Sequence, residues 1–295
     1  MLRLEDFADL AATHADALKA RVHSFELRGR LFDGNTRPEL MGVINLSADS
    51  WYRESVALTA EAAIRRGRVL AASGAAILDI GAESTLSHAA RVDDLAQTSQ
   101  LLPVVRQLAS EGHIVSVETY HPSVTLACLN AGASVLNLTG NDRSDELFRM
   151  VADHDAAVIL CYVQGANVRE VGDFNFTADP VALLYEHFAQ QIELARRHGV
   201  TKLWIDPGLG FYYRNLGDSA TRVRHQIQVF INTFRLRSLG VPTCHALPHA
   251  FECFEEEVRS AEPFFAVLAA LGRTDLFRTH EISKTRAVLE ALNLS

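Results

Sequence analysis

The chain has 295 residues, of which 48% are hydrophobic and 22% are charged. This balance excludes a largely disordered chain and allows either one eight-stranded α/β barrel or two smaller domains. The formal net charge of −8 at pH 7 argues against nonspecific nucleic-acid binding, so any site for an anion must be local.

The sequence contains no sign of a membrane segment or of a disulfide framework. No apolar stretch approaches the roughly 18 to 20 residues that span a bilayer, and the opening Met1-Leu-Arg-Leu-Glu-Asp6 has no signal-peptide core. We therefore expect a cytoplasmic protein without a membrane partner. Four cysteines lack metal-finger spacing and are expected to be free thiols, two or three of them buried: Cys128, Cys161, Cys244 and Cys253.

The chain begins with a short extension and continues as an alternation of β-type and helix-type segments. Residues 1–38 hold a polar, alanine-rich amphipathic segment over 5–21 and a strand-like stretch near Phe25, so we predict an N-terminal extension of a helix and a short strand. Residues 39–295 form the predicted barrel domain. Its strands are predicted near 40–46, 75–82, 113–120, 134–139, 157–164, 202–207, 241–247 and 274–281.

This alternation predicts a parallel sheet in an α/β fold. Eight βα units in about 250 residues favour a closed (β/α)8 TIM barrel over a doubly wound sheet. Helices are predicted at 60–72, 92–110 and 181–198, the last opened by an Asp179-Pro180 cap, and only the seventh strand lacks a clear helix after it. Glycines stand where helices should end, just before the next strand: Gly74, Gly112, Gly132, Gly199 and Gly240.

Six predicted strands end in an amide or a carboxylate. These residues are Asn45, Asp79, Glu118, Asn137, Gln164 and Asp206. An unpaired polar group at the end of a buried strand costs a few kcal/mol, and the carboxyl ends of barrel strands form the active site. Any one of the six could instead cap a helix or hold a loop. Together they predict a pocket for a polar heterocycle.

The loops after these strands carry motifs in a defined order. They are Met41-Gly-Val-Ile-Asn-Leu-Ser-Ala-Asp-Ser-Trp51, Asp79-Ile-Gly-Ala-Glu-Ser-Thr-Leu-Ser-His-Ala89, Val117-Glu-Thr-Tyr120, Leu136-Asn-Leu-Thr-Gly140, Val163-Gln-Gly165, Ile205-Asp-Pro-Gly-Leu-Gly-Phe211 and Arg278-Thr-His-Glu281. From about Leu40 to the end, the chain thereby resembles dihydropteroate synthase, more specifically in its first half than after Asp206.

The resemblance implies a reaction and a pterin site. In that family, a dihydropterin carrying a CH₂-pyrophosphate reacts with the amine of p-aminobenzoate, and pyrophosphate leaves. Glu118, Asn137 and Asp206 match the positions that hold the pterin ring, and a carboxylate and an amide suit the fixed donors and acceptors of its edge. Asp79 and Gln164 are expected as neighbours in the same pocket.

The resemblance also implies a phosphate side. Asn45 matches the residue that contacts the pyrophosphate and its Mg²⁺, while Thr85, Arg278 and His280 match the phosphate-binding groups; Mg²⁺ neutralises the departing charge. Alternatively, Arg278 and His280 are surface residues before the last helix, and Thr85 is a helix cap. The family also implies a homodimer formed through the last barrel helices.

The sequence departs from the family pattern at several positions. The family has aspartate where Glu118 stands, and its Ser-Thr-Arg-Pro-Gly loop becomes Ser84-Thr-Leu-Ser-His88, without the arginine. It also has a Ser-Arg-Lys motif at strand seven, whereas no lysine or arginine lies between Pro242 and Glu257 here. A lost lysine removes positive charge from a site that handles anions. We expect His249 to be the best partial substitute.

The histidines after strand seven raise a metal-site alternative. His245 and His249, with Cys244, Glu252 and Cys253 nearby, are possible ligand types. Their spacing fits no standard signature and Pro248 interrupts any helix that would align them. A plain strand-end loop or a neutral polar substrate contact is therefore preferred.

Three functional hypotheses follow. The first is a synthase that condenses dihydropterin pyrophosphate with p-aminobenzoate or a related arylamine. The second is a catalytically silent or divergent pterin-binding paralogue, motivated by the missing basic motif. The third is a methyltetrahydrofolate-dependent methyltransferase on a related barrel, disfavoured because the Asn45 and Thr85 loops resemble phosphate loops.

Overall fold

The computed structural model describes residues 2–50, 52, 55–84, 89–177, 179–211 and 213–294. Two helices come first, α1 (Leu4–Thr13) and α2 (Ala15–Leu18), followed by an antiparallel hairpin of β1 (Phe25–Leu27) and β2 (Arg30–Phe32). No helix in these ranges is both long and apolar enough to cross a bilayer.

The rest of the chain builds a parallel barrel from strands and helices in alternation. The strands are β3 (Glu39–Asn45), β4 (Ile77–Gly81), β5 (Val115–Thr119), β6 (Val135–Leu138), β7 (Ala157–Cys161), β8 (Leu203–Asp206), β9 (Cys244–Ala246) and β10 (Leu276–Thr279). The helices are α3 (Ala60–Ala72), α4 (Asp94–Ser110), α5 (Pro122–Asn130), α6 (Ser144–Asp153), α7 (Pro180–Arg197), α8 (Ser219–Asn232), α9 (Phe251–Phe254), α10 (Ala261–Leu271) and α11 (Ile282–Leu292).

The strands pair in the order β8-β7-β6-β5-β4-β3-β10-β9, all in parallel. A bridge between Ile205 and Thr243 joins β8 to β9, and the Ile205 amide donates to the Pro242 carbonyl at 3.1 Å. These contacts close the sheet, so the predicted (β/α)8 barrel is confirmed.

Local signals in the sequence account for most of these elements. The helix predicted at 60–72 has those bounds, and the Asp179 side chain caps α7 by accepting from the Val181 and Ala182 amides. All five predicted helix-ending glycines have positive φ, for example +114° at Gly74, where a side chain would be strained. The seventh unit is irregular as expected, because only the four-residue α9 and a 3-10 segment (Glu255–Ser260) separate β9 from α10. All four cysteines are free, and three are buried.

The N-terminal hairpin packs against the amino-terminal end of the barrel. Phe25 and Phe32 contact the Trp204 indole edge to face, with centroids 4.6 and 5.2 Å away. Their apolar cluster includes early strand residues such as Met41 and Ile77. With this end filled by side chains, the opposite end of the barrel is where a ligand pocket can open.

A buried ion pair ties three segments together at the same end. Arg237, in a 3-10 segment before β9, bonds the Asp275 carboxylate, and both side chains are at most 2% exposed. The other Asp275 oxygen accepts from the Thr243 amide at 2.7 Å, and Arg237 also donates to Asn35 at 3.1 Å. Burial raises the pKa of Asp275, with Arg237 opposing that rise. The pair thus fixes the start of β9 against β10.

We predict that Arg237→Ala lowers the free energy of unfolding by about 3–5 kcal/mol, because it leaves Asp275 as an uncompensated buried charge. Urea unfolding followed by circular dichroism measures this loss. Arg68→Ala is the control: its ion pair with Glu111 is at the surface, so the unfolding midpoint should stay near that of the wild type. Equal midpoints for the two variants would contradict a structural role for the buried pair.

Candidate active site

A pocket of about 310 Å³ opens at the carboxyl ends of the barrel strands. Its lining includes six of the polar side chains discussed below: Asn45, Glu118, Asn137, Asp206, Arg278 and His280. Each lies at the last or next-to-last position of a barrel strand or directly after it, so the parallel topology brings together residues that are far apart in the chain.

Carboxylates from neighbouring strands converge on one guanidinium group. The Arg278 Nε donates to Asp79 Oδ2 at 2.7 Å, and its Nη2 donates to Glu118 Oε2. Asp79 is fully buried, and the Arg278 side chain is 17% exposed. Burial alone would lower the pKa of Arg278, but the Glu118 and Asp79 carboxylates hold that pKa above its ordinary value. Arg278 is therefore an interior cation and not a surface residue before the last helix.

Asn137 lies on the next strand and is held in a fixed orientation. Its Nδ2 donates to Asp79 Oδ2 at 3.1 Å, and its Oδ1 accepts from the Cys161 thiol at 3.2 Å. The other Asp79 oxygen, Oδ1, is buried without a hydrogen-bond partner among the described residues. An amide beside a carboxylate can read the edge of a flat heterocycle.

Asp206 is positioned by its own turn. The Gly208 amide donates to Asp206 Oδ1 at 2.8 Å. Gly208 has φ +75°, and a Cβ there would lie 2.2 Å from the Tyr162 carbonyl oxygen, so only glycine fits. The Asp206-Pro-Gly208 turn therefore sets the carboxylate before any ligand arrives.

The carboxylates of the pocket outnumber the nearby cations. Burial raises the pKa of Glu118 to about 7; Arg278 opposes this rise, while Asp79 and Asp206 add to it. Burial also raises the pKa of Asp206 to about 6. Near neutral pH, the pocket thus offers both a carboxylate acceptor and a carboxyl group that exchanges its proton.

The first loop forms the other side of the pocket. The Asn45 Nδ2 donates to Ser50 Oγ at 2.7 Å and to Ser55 Oγ at 2.5 Å. Both amide hydrogens are thus used inside the loop, and the amide oxygen is the atom available to a ligand. Thr85, predicted for the same side, lies outside the described residues.

His280 and His249 line the pocket next to a buried acid. The His280 Nδ1 is 2.7 Å from Glu262 Oε1, and the His249 Nδ1 is 3.6 Å from the same oxygen. Burial, reinforced by the charge of His280, lowers the pKa of His249 to about 4, and burial with Arg278 lowers that of His280. His249 is therefore neutral at pH 7 and does not supply the charge of the missing lysine.

Arg222 and Arg278 are the only arginine or lysine side chains among the described residues that line the pocket. Arg222 is paired with the Glu252 carboxylate at 2.7 and 2.8 Å, and Arg278 is paired as described above. A multivalent anion entering the pocket would have to compete with these carboxylates.

Two sequence-based suggestions differ from the structure. The Gln164 amide bonds Asn175 through both ends and Tyr162 through Nε2, so it holds a loop and does not line the pocket. The metal ligands suggested after the seventh barrel strand, which is β9, do not come together either. The His245 Nε2 contacts the Thr233 hydroxyl at 2.7 Å, and Cys253 is exposed. The loop turns at Pro248 and at Ala250, which has a left-handed backbone (φ 45°), and His249 lies against His280 at the end of β10.

Sequence reasoning missed Glu262 and Tyr52. Glu262 is the second residue of α10, where an acid ordinarily sits in solvent near the helix amino terminus, yet here it is fully buried. Tyr52 stacks on both imidazoles. The one available signal was an acid separated only by Pro263 from the apolar run Phe264-Phe-Ala-Val-Leu268.

Comparison with known proteins places the chain in a family. A model of the family described as pterin binding enzyme matches residues 41–246. A dihydropteroate synthase of Synechocystis sp. is 30% identical over 216 residues, which is 72% of this chain and 72% of that protein. One of Mycobacterium leprae is 32% identical over 176 residues, 59% of this chain and 62% of that protein.

Solved structures agree with this assignment. Xanthomonas albilineans dihydropteroate synthase with 4-aminobenzoic acid is 28% identical, with a TM-score of 0.76 over 92% of this chain and 97% of that chain. The same enzyme in complex with 7,8-dihydropteroate is 27% identical, with a TM-score of 0.73 over 92% and 98%. Fold and pocket define a (β/α)8-barrel protein with a preformed polar site at the carboxyl ends of its strands. More particularly, the chain belongs to the pterin binding enzyme family.

We predict that ionisation of Glu118 destabilises the protein as pH rises. Because the folded-state pKa of this acid is raised, from 4.5 to about 7, its stabilising contribution is full below about pH 4.5 and is lost as pH rises through about 7. The thermal midpoint of the wild type minus that of Glu118→Gln should fall between about pH 5 and pH 8. Glu61→Gln, on the exposed face of α3, should show no such trend. A Glu118→Gln difference that stays flat or rises would contradict the assignment.

Proposed function

We propose that the protein is a transferase of the dihydropteroate synthase type. It would condense a dihydropterin carrying a CH₂-pyrophosphate with p-aminobenzoate or a related arylamine and release pyrophosphate in the biosynthesis of a folate-type cofactor. The observation that carries this proposal is the fixed array of Asp79, Asn137 and Asp206 at the barrel mouth. The names of the relatives support the same reaction.

The array suits the edge of a pterin ring. Asp206 accepts ring N–H groups, and its orientation is set by the Gly208 amide. Asn137 offers an amide at the pocket wall, and the fully buried Asp79 holds that amide in place through Oδ2. Glu118 stands at the edge of this set with a pKa of about 7, so it donates or accepts according to the ring atom opposite.

On the phosphate side, we assign Asn45, Arg278, His280 and Thr85 to the leaving group, the last of these from the family resemblance alone. The amine nitrogen attacks the methylene carbon, its C–N bond forms as the C–O bond to pyrophosphate breaks, and the amine loses a proton. Charge-assisted donors stabilise the departing oxygens. Arg278 can donate through the N–H groups that Asp79 and Glu118 leave unused, but its charge is shared with these two carboxylates, so binding and charge rearrangement are coupled here.

We also assign Mg²⁺ to the pyrophosphate. The Asn45 amide oxygen next to serine hydroxyls is an all-oxygen donor set, which fits an ion held chiefly by phosphate oxygens and water. When bound, the ion would neutralise charge on the leaving group.

We place the enzyme in the cytoplasm, where this pathway's small-molecule substrates would reach it.

The second candidate is a pterin-binding paralogue without turnover. It is favoured by one observation: both arginines that line the pocket are already paired with carboxylates, and no lysine replaces the missing motif. Such a protein would bind the ring through the same array and leave the pyrophosphate intact.

Pyrophosphate release separates the two candidates. With dihydropterin pyrophosphate, Mg²⁺ and a panel of arylamines, we expect release by the wild type with at least one amine. Asp206→Asn keeps the shape but removes the negative charge and replaces one of the two acceptor oxygens with an N–H donor, so pterin affinity should drop by about 10- to 100-fold.

Asp153→Asn, on the exposed end of α6, is the matched control and should behave as wild type. Calorimetric binding of the pterin without release for any amine would support the silent paralogue instead. Undiminished pterin affinity in Asp206→Asn would refute the assigned ring site.

We further infer a homodimer formed through α10. Phe264 and Leu271 lie seven residues apart, thus on one helix face, and are 45% and 53% exposed. Light scattering after size exclusion should give twice the chain mass for the wild type and a monomer for Phe264→Glu. Val69→Glu, at an exposed apolar position on α3, should remain dimeric. A monomeric wild type would rule this assembly out.

A further inference from the structure

A compact group of nitrogen and oxygen donors lies at one wall of the pocket. His249 comes from the loop after β9, Glu262 from the first turn of α10, and His280 from the residue after β10. One donor atom of each lies within 4.8 Å of the others. This is the only such group of three found among the described residues, and it is separate from the Asp79, Asn137 and Asp206 array.

The Glu262 carboxylate is aimed at the two imidazoles by its own hydrogen bonds. Its Oε2 accepts from the Thr279 hydroxyl, from the His280 amide at 2.9 Å and from the Glu281 amide at 3.1 Å. These bonds occupy one oxygen and leave Oε1 facing both His280 and His249. A buried carboxylate held in this way is preorganised to bind a cation.

The two imidazoles are also held in position. Tyr52 stacks on His249 at 5.0 Å and on His280 at 4.6 Å, with interplanar angles of 25° and 27°. The Tyr52 hydroxyl bonds Glu281, which is itself paired with Arg259 at 2.6 and 3.0 Å. Outer contacts of this kind orient metal-binding histidines.

One ring nitrogen of His249 is not explained by hydrogen bonding within the group. Its Nδ1 is buried and has no hydrogen-bond partner among the described residues, 3.6 Å from Glu262 Oε1. A buried polar atom without a partner costs free energy, so such a nitrogen calls for a ligand. The separation also suits two atoms on one metal ion, since donors about 2.0–2.2 Å from a tetrahedral centre lie about 3.3–3.6 Å apart.

We propose that His249, Glu262 and His280 bind a first-row divalent transition metal ion such as Zn²⁺, with the remaining coordination position open to the pocket. Two imidazoles and one carboxylate are a donor set of catalytic zinc sites, and the nitrogens select against Mg²⁺. The His280 Nδ1 to Glu262 Oε1 distance, now 2.7 Å, opens by less than an ångström as the shared proton is released.

The ion would also change the charge of the wall. A divalent cation on one carboxylate and two neutral imidazoles has a net charge of +1, in a loop region that contains no lysine or arginine from Pro242 to Glu257. It would thus give an anionic group of the substrate a cationic partner, a consequence that rests on the proposed function. Metal binding itself does not depend on it.

Metal binding is tested on the full chain without substrate. After metal removal, Co²⁺ titration should give saturable visible absorption for one ion per chain, and Zn²⁺ should displace it while excess Mg²⁺ should not. His249→Ala leaves Glu262 and its helix in place and should weaken Co²⁺ binding by at least about 100-fold, because even outer contacts of a metal site contribute 10- to 100-fold.

Glu262→Gln is the second variant, and its Co²⁺ binding is compared with that of the wild type only if its thermal unfolding remains cooperative. His198→Ala is the matched control, since His198 also contacts a carboxylate, Asp145 at 2.7 Å, but lies on the outer surface. It should bind Co²⁺ as wild type does. The proposal is overturned if wild type gives no saturable Co²⁺ signal or if His249→Ala binds as tightly as wild type. Because no pterin is present, these outcomes are independent of whether pyrophosphate is released.

Discussion

The contact between Arg278 and the carboxylates of Asp79 and Glu118 governs the chemistry of the barrel mouth. One guanidinium must balance two buried acids directly and a third, Asp206, at longer range. Burial raises the pKa values of Glu118 and Asp206, the Asp79 and Asp206 carboxylates add to the rise at Glu118, and Arg278 opposes the rise at both, so that one carboxyl group is readily protonated near pH 7. In the proposed reaction, ring recognition and leaving-group chemistry would therefore share one cation, and a ligand that attracts Arg278 would change the proton balance of the ring site.

The loop after β9 lacks the basic motif of the family, and it follows the shortest strand of the barrel. β9 has three residues, and it joins β8 through the bridge between Ile205 and Thr243 and the backbone hydrogen bond from Ile205 to Pro242. The buried ion pair of Arg237 and Asp275 fixes the start of this strand. The carboxyl end of the strand is not held by this pair. There the chain presents a neutral imidazole, His249, beside a buried acid. A metal ion bound there would provide the positive charge that the side chain of the missing lysine would otherwise provide.

Glycine positions, helix caps and the alternation of short apolar runs with helical segments were sufficient to predict the eight-stranded barrel. These signals are local: Gly74 needs positive φ, and Asp179 caps the helix that it precedes. The polar strand ends were also predictable, because a parallel barrel places every strand end at one mouth. Gln164 illustrates the limit of that rule, since a polar strand end can equally hold a neighbouring loop, and only the position of Asn175 decides between the two.

The sequence by itself determined the barrel, the mouth on which its polar residues converge and the absence of lysine from the seventh loop. Tertiary structure alone decided how charges pair. Arg278 meets Glu118 across 160 positions, and Glu262 meets His280 across 18, distances over which no periodic pattern carries information. Glu262 looks in the sequence like an exposed acid in the first turn of α10, but in the structure it is buried and contacts the imidazoles of His280 and His249. The physical reason is that strand and helix patterns follow from neighbours in the chain, whereas desolvation and ion pairing depend on which side chains the closed barrel brings together.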